Sequence, residues 1–346
     1  MTHFPRLPGS RIADPMDAPT LRWGIMAPGG IARKFATALG AFSRQQIVAV
    51  GSRSRERAEA FASHYGVDAA YGSYEELLAD DRVQAVYVAS PHSQHAEQAL
   101  AAIQAGKHVL VEKAFARNAA EARTLVDAAA AQHVTLMEAM WTRFLPRTDI
   151  VRQLLDDGVL GELETVIGDH GLPLEHVERM ADPSLAGGAL LDLGVYPVSY
   201  SSFVLGRPGL IRSSGELTDA GVDRQITMTF AGYADHPHAR ALLSTTMAAH
   251  TPVTFAICGS DARVELGSYF YCPGQVRLVY PDGSSLTSAP DPMQTHQGLV
   301  FEATHFAQLV ADGRSESPLL PLSETLAIME TLDEIRSQVG VRYPGE

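Results

Sequence analysis

LRWGIMAPGGIARKFATALGA, residues 21–41, decides how the rest of the chain is read. The apolar run from Leu21 to Met26 predicts a buried strand, and Ala27-Pro28-Gly29-Gly30 predicts a tight turn. Ile31, Phe35 and Ala38 then recur at helical spacing, with Arg33 and Lys34 facing elsewhere. A strand, a glycine-rich turn and a helix in that order form a phosphate cradle. The first N–H groups of the helix lack intrahelical acceptors, and its dipole puts positive potential there. The G-x-G-x-x-G/A pattern falls on Ala27, Gly29 and Ala32, so alanine stands at the first glycine position. That alanine is expected to make the turn with φ negative. Ala27, Gly29, Gly30 and Ile31 are the candidate phosphate-binding positions.

The composition narrows the classes. A chain of 346 residues has room for two domains with cores, and 46% hydrophobic with 19% charged residues is ordinary for a globular protein. A formal charge of −13 argues against a nucleic-acid surface, so an anionic ligand needs a local cluster of donors. Cys258 and Cys272 are too few for a disulfide framework and read as free thiols of a reducing cytoplasm. Residues 1–20 are proline-rich without an apolar run, which predicts a flexible lead-in rather than a signal peptide. No window reaches the roughly 20 apolar residues of a membrane span. The expectation is a cytoplasmic protein with no membrane or nucleic-acid partner.

From Gln46 the chain alternates strands and helices as far as Met137, the rhythm of a parallel sheet covered on both faces. The strand QIVAVG, residues 46–51, runs into Ser52-Arg53-Ser54-Arg55-Glu56-Arg57. In a nicotinamide-binding unit this strand end meets the adenosine ribose, where an acid marks NAD. Ser52 and Arg53 stand there, with Arg57 one helical turn on. Guanidinium forks suit a 2′-phosphate, which predicts NADP rather than NAD. Ser90, His92 and His95 follow the strand ending at Ala89, where open α/β sheets place ligands. Two histidines without a third ligand do not make a metal site. Glu112 and Lys113 end the next strand and face the same crevice.

Several segments together resemble the glucose–fructose oxidoreductase / inositol dehydrogenase (Gfo/Idh/MocA) family of two-domain NAD(P)-dependent oxidoreductases. They are GIMAPGGIA, VYVASPHSQH and AAIQAGKHVLVEKAF, the last similar to a Glu-Lys-Pro motif with Ala114 in place of proline. EAMWTRFLP, residues 138–146, is similar to the subgroup of dimeric dihydrodiol dehydrogenases and NADP-linked aldose dehydrogenases. GGALLDLGVYP, residues 187–197, matches the family's Asp-x-x-x-(His/Tyr) signature in its tyrosine form.

The expected fold is an N-terminal Rossmann doubly wound parallel sheet, residues 21–145, followed by a C-terminal α+β domain, residues 146–346. Strand-like runs without intervening helices predict an open, largely antiparallel sheet in that second domain. Helices at 301–311 and 323–338 are expected to pack back on the first domain. The resemblance implies that the outer face of the second sheet pairs with another subunit, giving a homodimer. Asp192 and Tyr196 are four apart, and Pro197 cannot donate to the carbonyl of Leu193, which predicts a bend beside the tyrosine.

The resemblance implies catalysis by Tyr196 as acid/base, with Lys113 as its electrostatic partner. A free phenol, with a pKa near 10, needs such a cation to work at neutral pH. Lys113 as the proton acceptor is the alternative. Asp192 is expected to orient the substrate hydroxyl or Lys113, and Trp141 and Arg143 to serve as wall and donor of the substrate pocket. The substrate class is a sugar, cyclic polyol or vicinal diol, inositol and dihydrodiol included. An NADP(H) sensor without turnover is the rival reading.

Overall fold

The structure is a computed structural model and describes residues 6–346. It divides into two compact units. One comprises residues 13–144 and 295–326, and the other residues 6–12, 145–294 and 327–346.

The first unit alternates as its periodicity demands. β1 Arg22–Met26, α1 Gly30–Phe42, β2 Gln46–Gly51, α2 Arg55–Tyr65, β3 Ala69–Tyr71, α3 Tyr74–Leu78 and β4 Ala85–Val88 come first. α4 His92–Gln104, β5 His108–Glu112, α5 Ala119–Gln132 and β6 Leu136–Ala139 complete the sheet. Its order is β3-β2-β1-β4-β5-β6 with every pair parallel. The order reverses between β1 and β4, the switch point beyond whose strand ends such sheets bind ligands. Local signals set the helix ends. Ser54, Ser73 and Asn118 each accept the N–H three residues on, and Glu76 reaches back to the N–H of Gly72. α4 starts at His92, three residues earlier than the sequence suggests, because Pro91 supplies an extended cap.

The second unit contains α6 Pro146–Asp156, β7 Leu163–Gly171, α7 Glu178–Ala181, a π-helical turn over Leu190–Gly194, and α8 Val195–Leu205. β8 Leu210–Leu217, β9 Asp223–Ala231, β10 Arg240–Thr246, β11 Phe255–Gly259, β12 Arg263–Leu266, β13 Val276–Val279 and β14 Ser285–Thr287 follow. The sheet order is β14-β13-β12-β11-β7-β10-β9-β8, antiparallel except for the β7–β10 pair. β8 and β14, absent from the sequence reading, are its two edges. LIRSSGEL and SLT carry no apolar alternation because both strands are largely solvated. Ala241, Leu243, Ile226, Met228, Phe255 and Ile257 are buried, whereas Ile167 and Leu242, paired in register, are 49% and 45% exposed.

α9 Leu299–Ala311 belongs to the first unit and packs on α1, with Phe306 against Trp23 at 5.5 Å. α10 Leu322–Val339 spans the division between the units. Its carboxyl half belongs to the second unit, where Gln338 accepts from the N–H of Ser213 and donates to the carbonyl of Ile211. The expected flexible lead-in is only partly testable, because residues 1–5 lie outside the described residues. Beyond them, Arg11 makes a forked pair with the carboxylate of Asp149, and Gln153 donates to the carbonyl of Gly9. Residues 9–11 are therefore tied down. The polar composition read as flexibility instead serves these hydrogen bonds.

Candidate active site

The turn after β1 is built differently from the expectation. Ala27 has φ +64, in the left-handed region that favours glycine, so the expected negative φ is wrong. The N–H of Gly29 donates to the carbonyl of Ala27 at 2.7 Å, closing a three-residue turn over Pro28. α1 starts at Gly30 with no side chain capping it, and a Cβ on Gly30 would meet nothing within 4 Å. Uncapped N–H groups facing open space fit a phosphate. At the end of β2, Ser52 is buried while Arg53 and Arg57 are exposed. Burial raises the Tyr74 phenol, and the charges of both Arg53 and Arg57 pull it down. The residues present fit a dinucleotide.

Strand ends β4 and β5 are joined by His95. Its Nδ1 lies 2.8 Å from the carbonyl oxygen of Ala114 and its Nε2 2.8 Å from that of Ser90. Burial lowers its pKa even though both carbonyls favour the cation. The ring thus ties together the two loops that carry Ser90 and Lys113, a role the sequence did not suggest. His92 is buried with its ring 5.5 Å from that of His95. Among the described residues no cluster of three histidine, cysteine or acidic side chains forms a metal centre. Glu112 accepts from the Tyr87 hydroxyl and from the backbone N–H of Lys113, the latter at 3.1 Å. Lys113 itself is half-buried.

Trp141 and Arg143 separate on inspection. Trp141 stacks on His296 at 5.6 Å with 12° between the ring planes. Arg143 is 2% exposed, and its guanidinium forks onto the carboxylate of Glu324 at 2.9 and 3.0 Å. Glu324 thus holds the guanidinium that the sequence reading places as a substrate donor. Its charge is matched by a helix-borne acid whose position 181 residues away no spacing reveals.

In the second unit, the π-helical turn Leu190–Gly194 runs directly into α8, placing Asp192 and Tyr196 on either side of the junction. Such turns recur at functional sites. Pro197 leaves the carbonyl of Leu193 without its helical donor, and Nδ1 of His170 takes it at 3.0 Å. His170 stacks on Tyr271 at 4.5 Å and lies 5.3 Å from the ring of Tyr196, which is itself 4.6 Å from Tyr271. Two rings thus flank the phenol, which is 6% exposed. Burial raises the pKa of Tyr271, so it stays a neutral hydroxyl. Asp192, expected to orient the substrate hydroxyl or Lys113, is paired with a residue the sequence reading did not single out. Both its oxygens accept from Arg179 at 3.1 Å. His170 could have been found as a histidine at the inward position of an alternating strand, after Val166 and Gly168. Arg179 and Tyr271 carried no such signal.

The comparisons agree with this architecture. A family described as "Oxidoreductase family, NAD-binding Rossmann fold" matches residues 21–140, and its GFO/IDH/MocA C-terminal domain matches residues 149–265. The chain belongs to the GFO/IDH/MocA oxidoreductase family. It is similar to trans-1,2-dihydrobenzene-1,2-diol dehydrogenase of Homo sapiens, with 36% identity over 332 residues, 94% of this chain and 98% of the relative. D-xylose 1-dehydrogenase (NADP(+)) of Hypocrea jecorina is 38% identical over 94% of this chain and 93% of its own. KijD10, a 3-ketoreductase from Actinomadura kijaniata solved with NADP and TDP-benzene, has a TM-score of 0.81 at 26% identity, covering 93% of this chain and 98% of its own.

Proposed function

We propose that this protein is an NADP-dependent dehydrogenase that transfers hydride between nicotinamide and a hydroxyl or carbonyl of a sugar, cyclic polyol or vicinal diol. The observation that carries the reading is the uncapped start of α1 beside the open Gly30, with Arg53 exposed just after β2 and Arg57 exposed in the first turn of α2. The diol and xylose dehydrogenases named above support the substrate class. When bound, the nicotinamide supplies the hydride acceptor.

Tyr196 takes the hydroxyl proton in oxidation and returns it in reduction, and the ammonium of Lys113 favours the phenolate. Asp192 acts through Arg179, which it holds, rather than by a free carboxylate. His95 positions the loops of Ser90 and Lys113. Ile167 and Leu242, adjacent on the outer face of the second sheet, are the centre of a homodimer interface. The free thiols of Cys258 and Cys272 suit a cytoplasmic location. No helix among the described residues is long and apolar enough to cross a membrane.

The test is an absorbance assay at the reduced-nicotinamide band with NADP and a panel of aldoses, inositols and vicinal diols. Turnover with at least one substrate class, faster with NADP than with NAD, is the expected result. NADPH binding with silence across the whole panel would reject turnover and favour a dinucleotide sensor.

A further inference from the structure

Lys34 lies in the second turn of α1. A helical side chain leans back over the turn before its own Cα, so the stem of Lys34 runs toward Gly30, four residues earlier. That is where the backbone is open. The ammonium sits 3.1 Å from Nε2 of His296, in the 3-10 turn Thr295–Gly298 of the same unit. An ammonium can only donate, so Nε2 accepts and the ring proton is on Nδ1. The Trp141 stack fixes the plane of the imidazole. Thr295 has φ +47, a conformation a β-branched residue adopts only under constraint, and it immediately precedes the ring. Burial, then Lys34 and Lys113, lower the pKa of His296 to about 4, so the ring stays a neutral acceptor at physiological pH. Lys34, His296 and Trp141, from three separate segments of the first unit, thus form one chain of contacts beside the start of α1.

We propose that Lys34, held in place by His296, is the side-chain cation that pairs with the pyrophosphate of the bound dinucleotide. The proposal rests on the dinucleotide reading above and deepens it. The helix start offers only partial charges, whereas an ammonium adds a full one in a chain of net charge −13. If the pair were only a brace between α1 and the 295–298 turn, its loss would change stability and leave affinity alone.

Calorimetric titration of the purified full chain with NADPH and with NADH tests it. Lys34→Met removes the charge and keeps the stem. It should weaken both dinucleotides equally, by about tenfold, because both carry the pyrophosphate. The salt dependence of binding should flatten as well. His296→Phe keeps a ring against Trp141 but offers no acceptor, and it should weaken both by roughly threefold. Arg53→Ala should weaken NADPH alone.

Wild-type affinity in Lys34→Met would overturn the proposal and leave the functional reading standing. A wild-type chain that binds neither dinucleotide would overturn both. Nitrogen NMR of the histidine rings at pH 7 gives a readout free of ligand. The signal that disappears in His296→Phe should be that of a neutral ring protonated at Nδ1, and an imidazolium or an Nε2–H ring there would overturn the Lys34–His296 pairing.

Discussion

The two units place their candidate residues by different means. In the first, they come from the end of a parallel strand, the loop just after it or the start of the helix that follows: Ala27 and Gly30 after β1, Arg53 and Arg57 after β2, Ser90 and His95 after β4, Lys113 after β5 and Trp141 after β6. Topology alone gathers them along one edge. In the second, the enclosure of Tyr196 takes His170 from β7, a π-helical turn leading into α8, and Tyr271 from the segment before β13. There side-chain packing has to do what strand order does in the first. Changes in the first unit should therefore act on dinucleotide affinity, and changes around Tyr196 on the chemical step.

The sharpest way to break that contrast is Tyr196→Phe. It keeps the ring among His170 and Tyr271 and removes only the hydroxyl. Turnover should fall by about 10²–10⁴-fold, the usual range for loss of a positioned acid/base. The calorimetric affinity for NADPH should stay at the wild-type value. Turnover within threefold of wild type would remove Tyr196 from the chemistry.

Next in size is a pH effect that the units share. Burial raises Glu138 in the first and Asp223 in the second to about 7. Asp223 accepts from the N–H of Leu190 at 2.6 Å, ahead of the π turn's Asp192, and Glu138 accepts from the hydroxyl of Thr325. The sign follows from linkage. The unfolded carboxyls lose their protons near pH 4 while the folded ones keep theirs to about 7, so stability falls as pH rises through this window and then levels. Each group accounts for on the order of 3 kcal/mol. Glu138→Gln and Asp223→Asn should each flatten the curve, gaining over wild type at pH 8 and not at pH 4. Urea melts at the two pH values measure it, and variants that gain no more over wild type at pH 8 than at pH 4 would contradict the two assignments, whatever the buried histidines, which push wild-type stability the other way, contribute.

The same contrast explains what could be read from the letters. The parallel sheet, its helices and the cradle were legible because strand–turn–helix units are local and their buried strands are continuous apolar runs. Tyr196 and the freed carbonyl of Leu193 were legible because proline removes a known donor. His170, which takes that carbonyl, was not, since β7 lies more than 20 residues upstream and pairs with β10 and β11. The partners of Arg143 and Asp192 were hidden for one reason. A charged residue near a motif looks available until its partner is seen, and Glu324 and Arg179 are found only in the fold. Lys34 was read as facing elsewhere, and His296, which completes its surroundings, sits in a turn with no sequence pattern.

The Asp192–Arg179 pair separates holding from reacting. Arg179→Leu leaves a carboxylate that is 7% exposed without its partner. Because the arginine side chain is 46% exposed, the full cost of breaking a buried pair does not apply, and a loss of about 1–2 kcal/mol is expected. The value of KM for substrate should rise more than kcat falls if Asp192 works through this guanidinium. A lower kcat at unchanged KM would return Asp192 to direct contact with the reacting hydroxyl.

The smallest effect tests the cradle itself. Ala27 occupies left-handed backbone at φ +64, where an alanine Cβ crowds its own carbonyl and glycine does not. Substitution by glycine relieves that strain but gives the unfolded chain more freedom, and these two terms oppose each other. With the native φ positive, relief outweighs the entropy, and Ala27→Gly should stabilise the chain by about 0.5 kcal/mol. NADPH affinity should stay within twofold, since the candidate donors are the N–H groups of Gly30 and Ile31 at the helix start, which the substitution does not touch. A destabilised variant would mean that the turn is held with φ negative in solution. The first unit would then owe its cradle to side-chain packing, as the second owes its enclosed tyrosine, and the contrast between them would disappear.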